Sequence, residues 1–313
     1  MVADRLLVDN VQVRIPRPRL PLPRDHWVRE IEQMDPQTEW AQIYGITTGH
    51  EFPWDSQRAG EIALVHTYAV PEIGELLART GEFIERTEKR VDDTAIILVE
   101  SGNYIGGETH DPTAIRRLNR MHGAYDIPND QMLYVLTTFV VVTRRWIDRY
   151  GYRPMMDVEV ESLVRYWQRM GELMNISDIP ADYAGFADYL DTYERERFGF
   201  SPGGRAVSDA TFTLIQSRFP EPIRGLAHQV LMSAIRPHLR RALGYLDPPY
   251  VVSGAVDIAL RLRKRLIALL PARRDYISPL DRLPLPTYPH GYDLAQVGTF
   301  PEVQRHHHTT TRD

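Results

Sequence analysis

Between residues 37 and 273 the apolar positions recur at steps of three and four, the spacing that gathers side chains on one face of an α-helix. Start and stop signals cut this stretch into segments. Asp55 opens one that stops before Pro71. Pro71, at a first helical position, opens another that runs to Thr80 and ends at Gly81. Glu85 to Glu100 is amphipathic and ends before the glycine-rich loop GNYIGGE. Asp111 and Pro112 form an N-cap and first-position pair for a helix to His122, with Gly123 as the stop. Asn129 or Asp130 caps MLYVLTTFVVVTRRWIDRY, which ends at Gly151, and Asp157 caps VEVESLVRYWQRMGELM. Ser177 or Asp178, with Pro180 close behind, opens ADYAGFADYLDTYERERF, and Ser208 caps DATFTLIQSRF. Residues 221–244 and 253–270 give two more helices. Strand-like alternation is almost absent. The β-leaning run VLTTFVVV sits inside a longer capped segment and is predicted as buried helix. No repeat of roughly 20–50 residues is evident. The pattern predicts an all-α single domain of eight to eleven helices.

Outside that core the chain changes character. Residues 14–24 hold four prolines among basic residues, which makes residues 1–36 an extended N-terminal arm. Residues 274–313 are again proline-rich and end in RHHHTTTRD, a wrapping or disordered tail whose histidines read as solvated. The helical domain is therefore 37–273.

Composition removes whole classes of chemistry. The chain has no cysteine, so disulfides, thiolate-bound haem, iron–sulfur clusters and cysteine zinc sites are excluded. Its 43% hydrophobic and 25% charged residues are those of an ordinary globular domain, and a net charge of −5 offers nucleic acid no general attraction. No apolar run approaches the ~20 residues of an integral membrane span. The early residues carry no secretory pattern, so a cytoplasmic protein is expected. The stretch RLRKRLIALLPARR is basic and partly apolar. It suits packing on the domain with a solvated basic face, or a membrane surface or partner.

Metal and nucleotide motifs are missing. No glutamate has a histidine three residues later, His-Glu-x-x-His is absent, and there is no P-loop, Gly-x-Gly-x-x-Gly after a strand, or Gly-x-Ser-x-Gly. Of the histidines, only His66 and His122 fall in amphipathic helices of the central region. An isolated imidazole beside an apolar helix suits a single axial bond to haem iron, and it is also how a hydrogen-bonded core histidine looks. Trp54, Trp146 and Trp167 read as core aromatics rather than substrate stackers.

Three strings carry a resemblance. EFPWDSQRAGEIALVHTYAVPEIGELLARTGEFIERTEKRVDDTAIIL, RRLNRMHGAYDIPNDQMLYVLTTFVVVTRRWIDRYGYRP and WQRMGELMNISDIPADYAGFADYLDTYERERF, in that order, resemble the MpaB-type and rubber oxygenase family over roughly residues 37–250, with the MpaB-type branch nearer than the latex-clearing one. The resemblance implies a globin-like helical core around one non-covalent b-type haem, with the histidine of RMHGAY, His122, as proximal iron ligand. His66 does not match that motif. It also implies a distal face from KRVDDT. Arg90, Asp93 and Thr94 match an Arg-x-x-(Lys or Glu)-Thr run, at spacings of three and four. Aspartate where the latex-clearing branch has lysine or glutamate points to a base or water-mediated role for Asp93. Arg90 would orient Asp93, bind a haem propionate or steady bound oxygen. Leu136 and Phe139, on the apolar helix after His122, are candidates for the haem wall.

The expected function is a haem b oxygenase that uses dioxygen on an apolar or aromatic small molecule. The default reaction is oxidative cleavage of a carbon–carbon double bond, for example in natural-product biosynthesis. A haem enzyme with other chemistry (hydroxylation, rearrangement, peroxide-dependent oxidation), a non-catalytic haem or ligand-binding protein and a cofactor-free helical module stay open, as does a homodimer.

Overall fold

A computed structural model describes residues 20–282 and 285–299. The proline-rich stretch before Leu20 and the terminal histidines lie outside the described residues. Fifteen α-helices are seen among them. They are α1 (His26–Ile31), α2 (Trp40–Ile46), α3 (Pro53–Tyr68), α4 (Pro71–Arg79), α5 (Glu82–Glu85), α6 (Thr87–Ile105), α7 (Thr113–His122), α8 (Asn129–Tyr150), α9 (Asp157–Leu173), α10 (Tyr183–Arg197), α11 (Pro202–Ser217), α12 (Arg224–Ala234), α13 (Pro237–Ala242), α14 (Tyr250–Leu269) and α15 (Pro279–Arg282). The described residues contain no strand, only one isolated bridge between Leu22 and Ala272. The fold is an all-α single domain.

α8 is its axis. It packs on α3, α9 and α10, while α2 lies on α9 and α4 crosses α11. The β-branched run is helical because packing on most sides overrides its strand leaning: Leu136 to Thr143 are all buried. Val140, Val141 and Ile147 are fully buried in the main core with Phe52, Ala59 and Phe186. Two polar residues survive there by folding back: Thr137 donates to Leu133 O at 2.8 Å and Thr138 to Val135 O at 2.7 Å.

Several helix starts differ from the sequence expectation. α3 begins at Pro53, so Asp55 is its third residue, within the first turn. Its buried carboxylate accepts both Arg263 nitrogens (3.0 and 3.1 Å) and Trp146 Nε1 (3.3 Å) instead of capping. Asp182, not Ser177 or Asp178, caps α10 through Gly185 N. Ser201 caps α11 ahead of Pro202, which leaves Ser208 inside the helix, buried against the Tyr245 hydroxyl. The single helix expected over 221–244 is divided, because Pro237 restarts the chain as α13. α1 gives the stretch read as an extended arm a buried foothold, with Ile31 against Ile43 and Ile46.

The C-terminal strap, 285–299, wraps α6 and α7. Thr287 N donates to Asp92, Tyr292 OH to Glu100, and Arg117 Nε to Val297 O at 2.7 Å. Val297 is fully buried with Ile96 and Ile97. Gly298 crosses α7 beside Met121 with φ of +93°, a left-handed backbone that favours glycine.

Candidate functional site

His122 is the last residue of α7, with Gly123 closing the helix. Asn119, one turn earlier, donates to Leu173 O at 2.8 Å and fixes α7 to the end of α9. α9 ends with Asn175 in the left-handed region (φ 59°), and Ile176 N returns to Gly171 O at 2.9 Å. That turn sets Met174, Asn175 and Ile176 opposite His122. Between them is a cavity of about 300 Å³, also lined by Tyr125 and Met132.

The chemical state of His122 follows from its surroundings. Burial, and then the like charge of Arg90, push its pKa down to about 4. The imidazole is therefore neutral at pH 7, the form that ligates a metal. Its Nδ1 is buried and has no hydrogen-bond partner. The tautomer-fixing partner that a metal-bound histidine usually has is not in place here. A buried, unpaired, neutral ring nitrogen beside a cavity fits an axial haem ligand, and it is the single-ligand type of site. The described residues hold no set of three or more imidazole or carboxylate groups placed for a bare metal ion.

The α6 residues divide. Arg90 sits with its guanidinium carbon 4.9 Å above the Phe83 ring and hydrogen-bonds the Thr94 hydroxyl, which also donates to Arg90 O at 2.6 Å. Burial lowers the Arg90 pKa, against the pull of Tyr68, Asp93, Glu82 and Tyr125. Tyr125 lines the His122 cavity and is itself raised by burial and Glu82 and lowered by Arg90. Arg90 and His122 thus share one electrostatic neighbourhood. Asp93 also acts on Arg90, but its carboxylate takes Lys89 Nζ at 2.7 Å and the Tyr288 hydroxyl at 2.5 Å, so it faces the strap. Leu136 and Phe139 lie in the main core, Phe139 stacked on Trp167 at 4.6 Å, and neither is among the residues lining this cavity.

A second cavity, about 340 Å³, lies between α3, α8 and the α12–α14 segment. His66 lines it, but His66 Nδ1 is committed to Glu194 at 2.5 Å, and the other Glu194 oxygen takes His238 Nε2 at 2.8 Å. Burial works to raise Glu194. The hydrogen bonds from His238 and His66 outweigh it and hold the carboxyl at about 2. Nothing in the sequence marked Glu194 or His238. Tyr125 could have been noticed, since it closes the string MHGAY.

Comparison with known proteins places these groups in a shared domain. Residues 59–262 match the family described as ER-bound oxygenase mpaB/B'/rubber oxygenase, catalytic domain, a span that contains Arg90, Asp93, Thr94 and His122. ER-bound oxygenase mpaB of Penicillium brevicompactum is 28% identical over 240 residues, 71% of this chain and 59% of that protein. Its mpaB' counterpart is 26% identical over 256 residues, 76% and 59% respectively. The mpaB protein of Penicillium roqueforti (strain FM164) is 27% identical over 224 residues, 66% and 75%. The matched part of this chain thus spans only about 59% of the two P. brevicompactum proteins.

Proposed function

The chain belongs to the mpaB/B'/rubber oxygenase catalytic-domain family, and on that premise we propose that it is a haem b oxygenase. It uses dioxygen to oxidise an apolar or aromatic small molecule, with oxidative cleavage of a carbon–carbon double bond as the reaction. The observation that carries the reading is His122: a buried, neutral, unpartnered imidazole nitrogen at the edge of a cavity. His122 would hold the iron of a globin-like haem site. When bound, the haem supplies the oxygen chemistry, and the protein supplies binding, orientation and electrostatics.

The protein's own groups have separable tasks. His122 is neutral at any pH well above 4, so no proton competes for its nitrogen at neutral pH. Arg90 keeps a cation near enough to His122 to lower its pKa, aimed by Thr94 and Phe83, where it would stabilise an anionic group such as a propionate. Met132, Met174 and Ile176 give an apolar wall suited to an apolar substrate. Asp93, with both oxygens engaged, acts as a positioning residue that locks α6 to the strap.

The test is an absorption spectrum of the purified full chain, as isolated and after addition of haemin. A Soret band that disappears in His122→Ala supports the assignment. Protein that stays haem-free after reconstitution overturns it. With haem bound, Arg90→Ala is expected to lose turnover of an unsaturated apolar substrate under oxygen while keeping haem content. Unchanged turnover removes Arg90 from the mechanism.

A further inference from the structure

α14 has none of its 20 residues fully buried, an unusual state for a long helix on a globular domain. One face is attached to the protein. Arg263 grips Asp55 and lies 4.0 Å over the Trp54 ring, Asp257 pairs with Arg149, and Leu260 packs on the main core. The other face is apolar and open. Val251, Ile258, Leu262, Leu266 and Leu269 follow one another at steps of seven, four, four and three, which keeps them in one stripe, and they are 54–83% exposed. A continuous stripe of this kind marks an interaction surface.

Charge selects the occupant. Arg261 and Arg265 border the stripe, with Lys264 next to them and Arg273 and Arg274 just beyond the helix end. The one acidic residue of α14, Asp257, points inward to Arg149 and is bridged by Arg261 at 2.7 Å. A second copy of α14 laid on the stripe would bring cations together with no acid on the outer face to meet them. An anionic lipid surface would neutralise them while accepting the leucines. With five charged residues along its length α14 cannot cross a bilayer, and no helix among the described residues is long and apolar enough to do so. We propose that α14 is an in-plane membrane-docking helix, its Val251–Leu269 stripe set in the headgroup boundary of an anionic phospholipid surface and its arginines on the headgroups.

Co-sedimentation of the full chain with phosphatidylcholine vesicles, with and without phosphatidylserine, tests this without any need for haem or turnover. Binding is expected to the serine-containing vesicles and to weaken in high salt, where the Debye length shrinks from ~10 Å at 0.1 M to ~3 Å at 1 M. At about 1 kcal/mol per basic residue, Arg261→Gln with Arg265→Gln should lower the partition coefficient about 30-fold. Leu262→Asp with Leu266→Asp should abolish binding with an unchanged circular dichroism spectrum, because neither side chain is part of the core. Protein that stays in the supernatant with serine-containing vesicles overturns the proposal. So do variants that bind like the parent. A dimer by light scattering that Leu262→Asp dissociates overturns it in favour of a self-interface.

Discussion

Glu194→Gln measures what holds three helices together behind the core. Glu194 lies in the last turns of α10, His66 on α3 and His238 on α13, so one carboxylate joins them. Tyr134 of α8 adds a longer contact at 3.4 Å. The carboxyl falls from its ordinary 4.5 to about 2, which at 1.36 kcal/mol per pH unit corresponds to about 3 kcal/mol favouring the folded state. The sign follows from the direction. A depressed acid contributes fully above 4.5, and its contribution is lost as pH falls toward 2. The glutamine keeps the shape and one hydrogen bond but not the charge. Urea unfolding of the full chain at pH 7, followed by tryptophan fluorescence and circular dichroism, should place Glu194→Gln about 3 kcal/mol below the parent. With about 2.1 cal/mol/K of unfolding entropy per residue, that is a melting shift of about 5 °C in a chain of this length. Linkage then narrows the gap by roughly 1 kcal/mol at pH 4 and about 2 at pH 3. A variant within about 0.5 kcal/mol of the parent at pH 7, or a gap that widens on acidification, would refute the reasoning.

Other consequences can be checked more simply. Gly204→Ala places a Cβ 2.1 Å from Tyr68 O, where α11 meets the end of α3, so the backbones must separate, and a loss of about 3 kcal/mol in thermal or urea unfolding is expected. Arg263→Ala leaves the buried Asp55 carboxylate unpaired, at a cost of about 3 kcal/mol at pH 7. Burial already raises Asp55 and Arg263 opposes it, so the variant's folded state takes up a proton sooner, and the deficit should shrink between pH 7 and pH 5. Tyr288→Phe removes the strap's hydrogen bond to Asp93. Amide exchange in 285–299 should quicken while that of α8 is unchanged, and equal protection in both proteins would show that the strap is held elsewhere.

Much of the helix layout was legible because its signals are local. Pro71, Gly151 and the Asp111–Pro112 pair act through their own backbone, and the helices start or stop within two residues of them. Caps were less legible where two candidates competed. Ser201 before Pro202 offers both a side-chain acceptor and a pre-set φ, and it wins over Ser208. His122 was visible through the ordered strings around it. Its burial, its missing partner and its Arg90 neighbour depend on how α6, α7 and α9 meet, which no spacing encodes.

Asp93 shows what spacing alone leaves open. Three- and four-residue steps put Arg90, Asp93 and Thr94 on one broad face, but adjacent residues on a helix point about 100° apart. Asp93 and Thr94 can therefore aim at different partners. Thr94 turns to Arg90, and Asp93 turns to Tyr288, 195 residues away, which only the folded strap brings near. The difference is chemical as well as geometric. A catalytic base at Asp93 would be lost with its carboxylate in Asp93→Asn, while Tyr288→Phe, which keeps the carboxylate, would leave most of the turnover in place. A positioning carboxylate predicts a loss of the same size at every pH in Asp93→Asn. It also predicts that Tyr288→Phe, which loses the hydroxyl's bonds to Asp93 and Lys89 on α6, reproduces part of that loss with haem content intact.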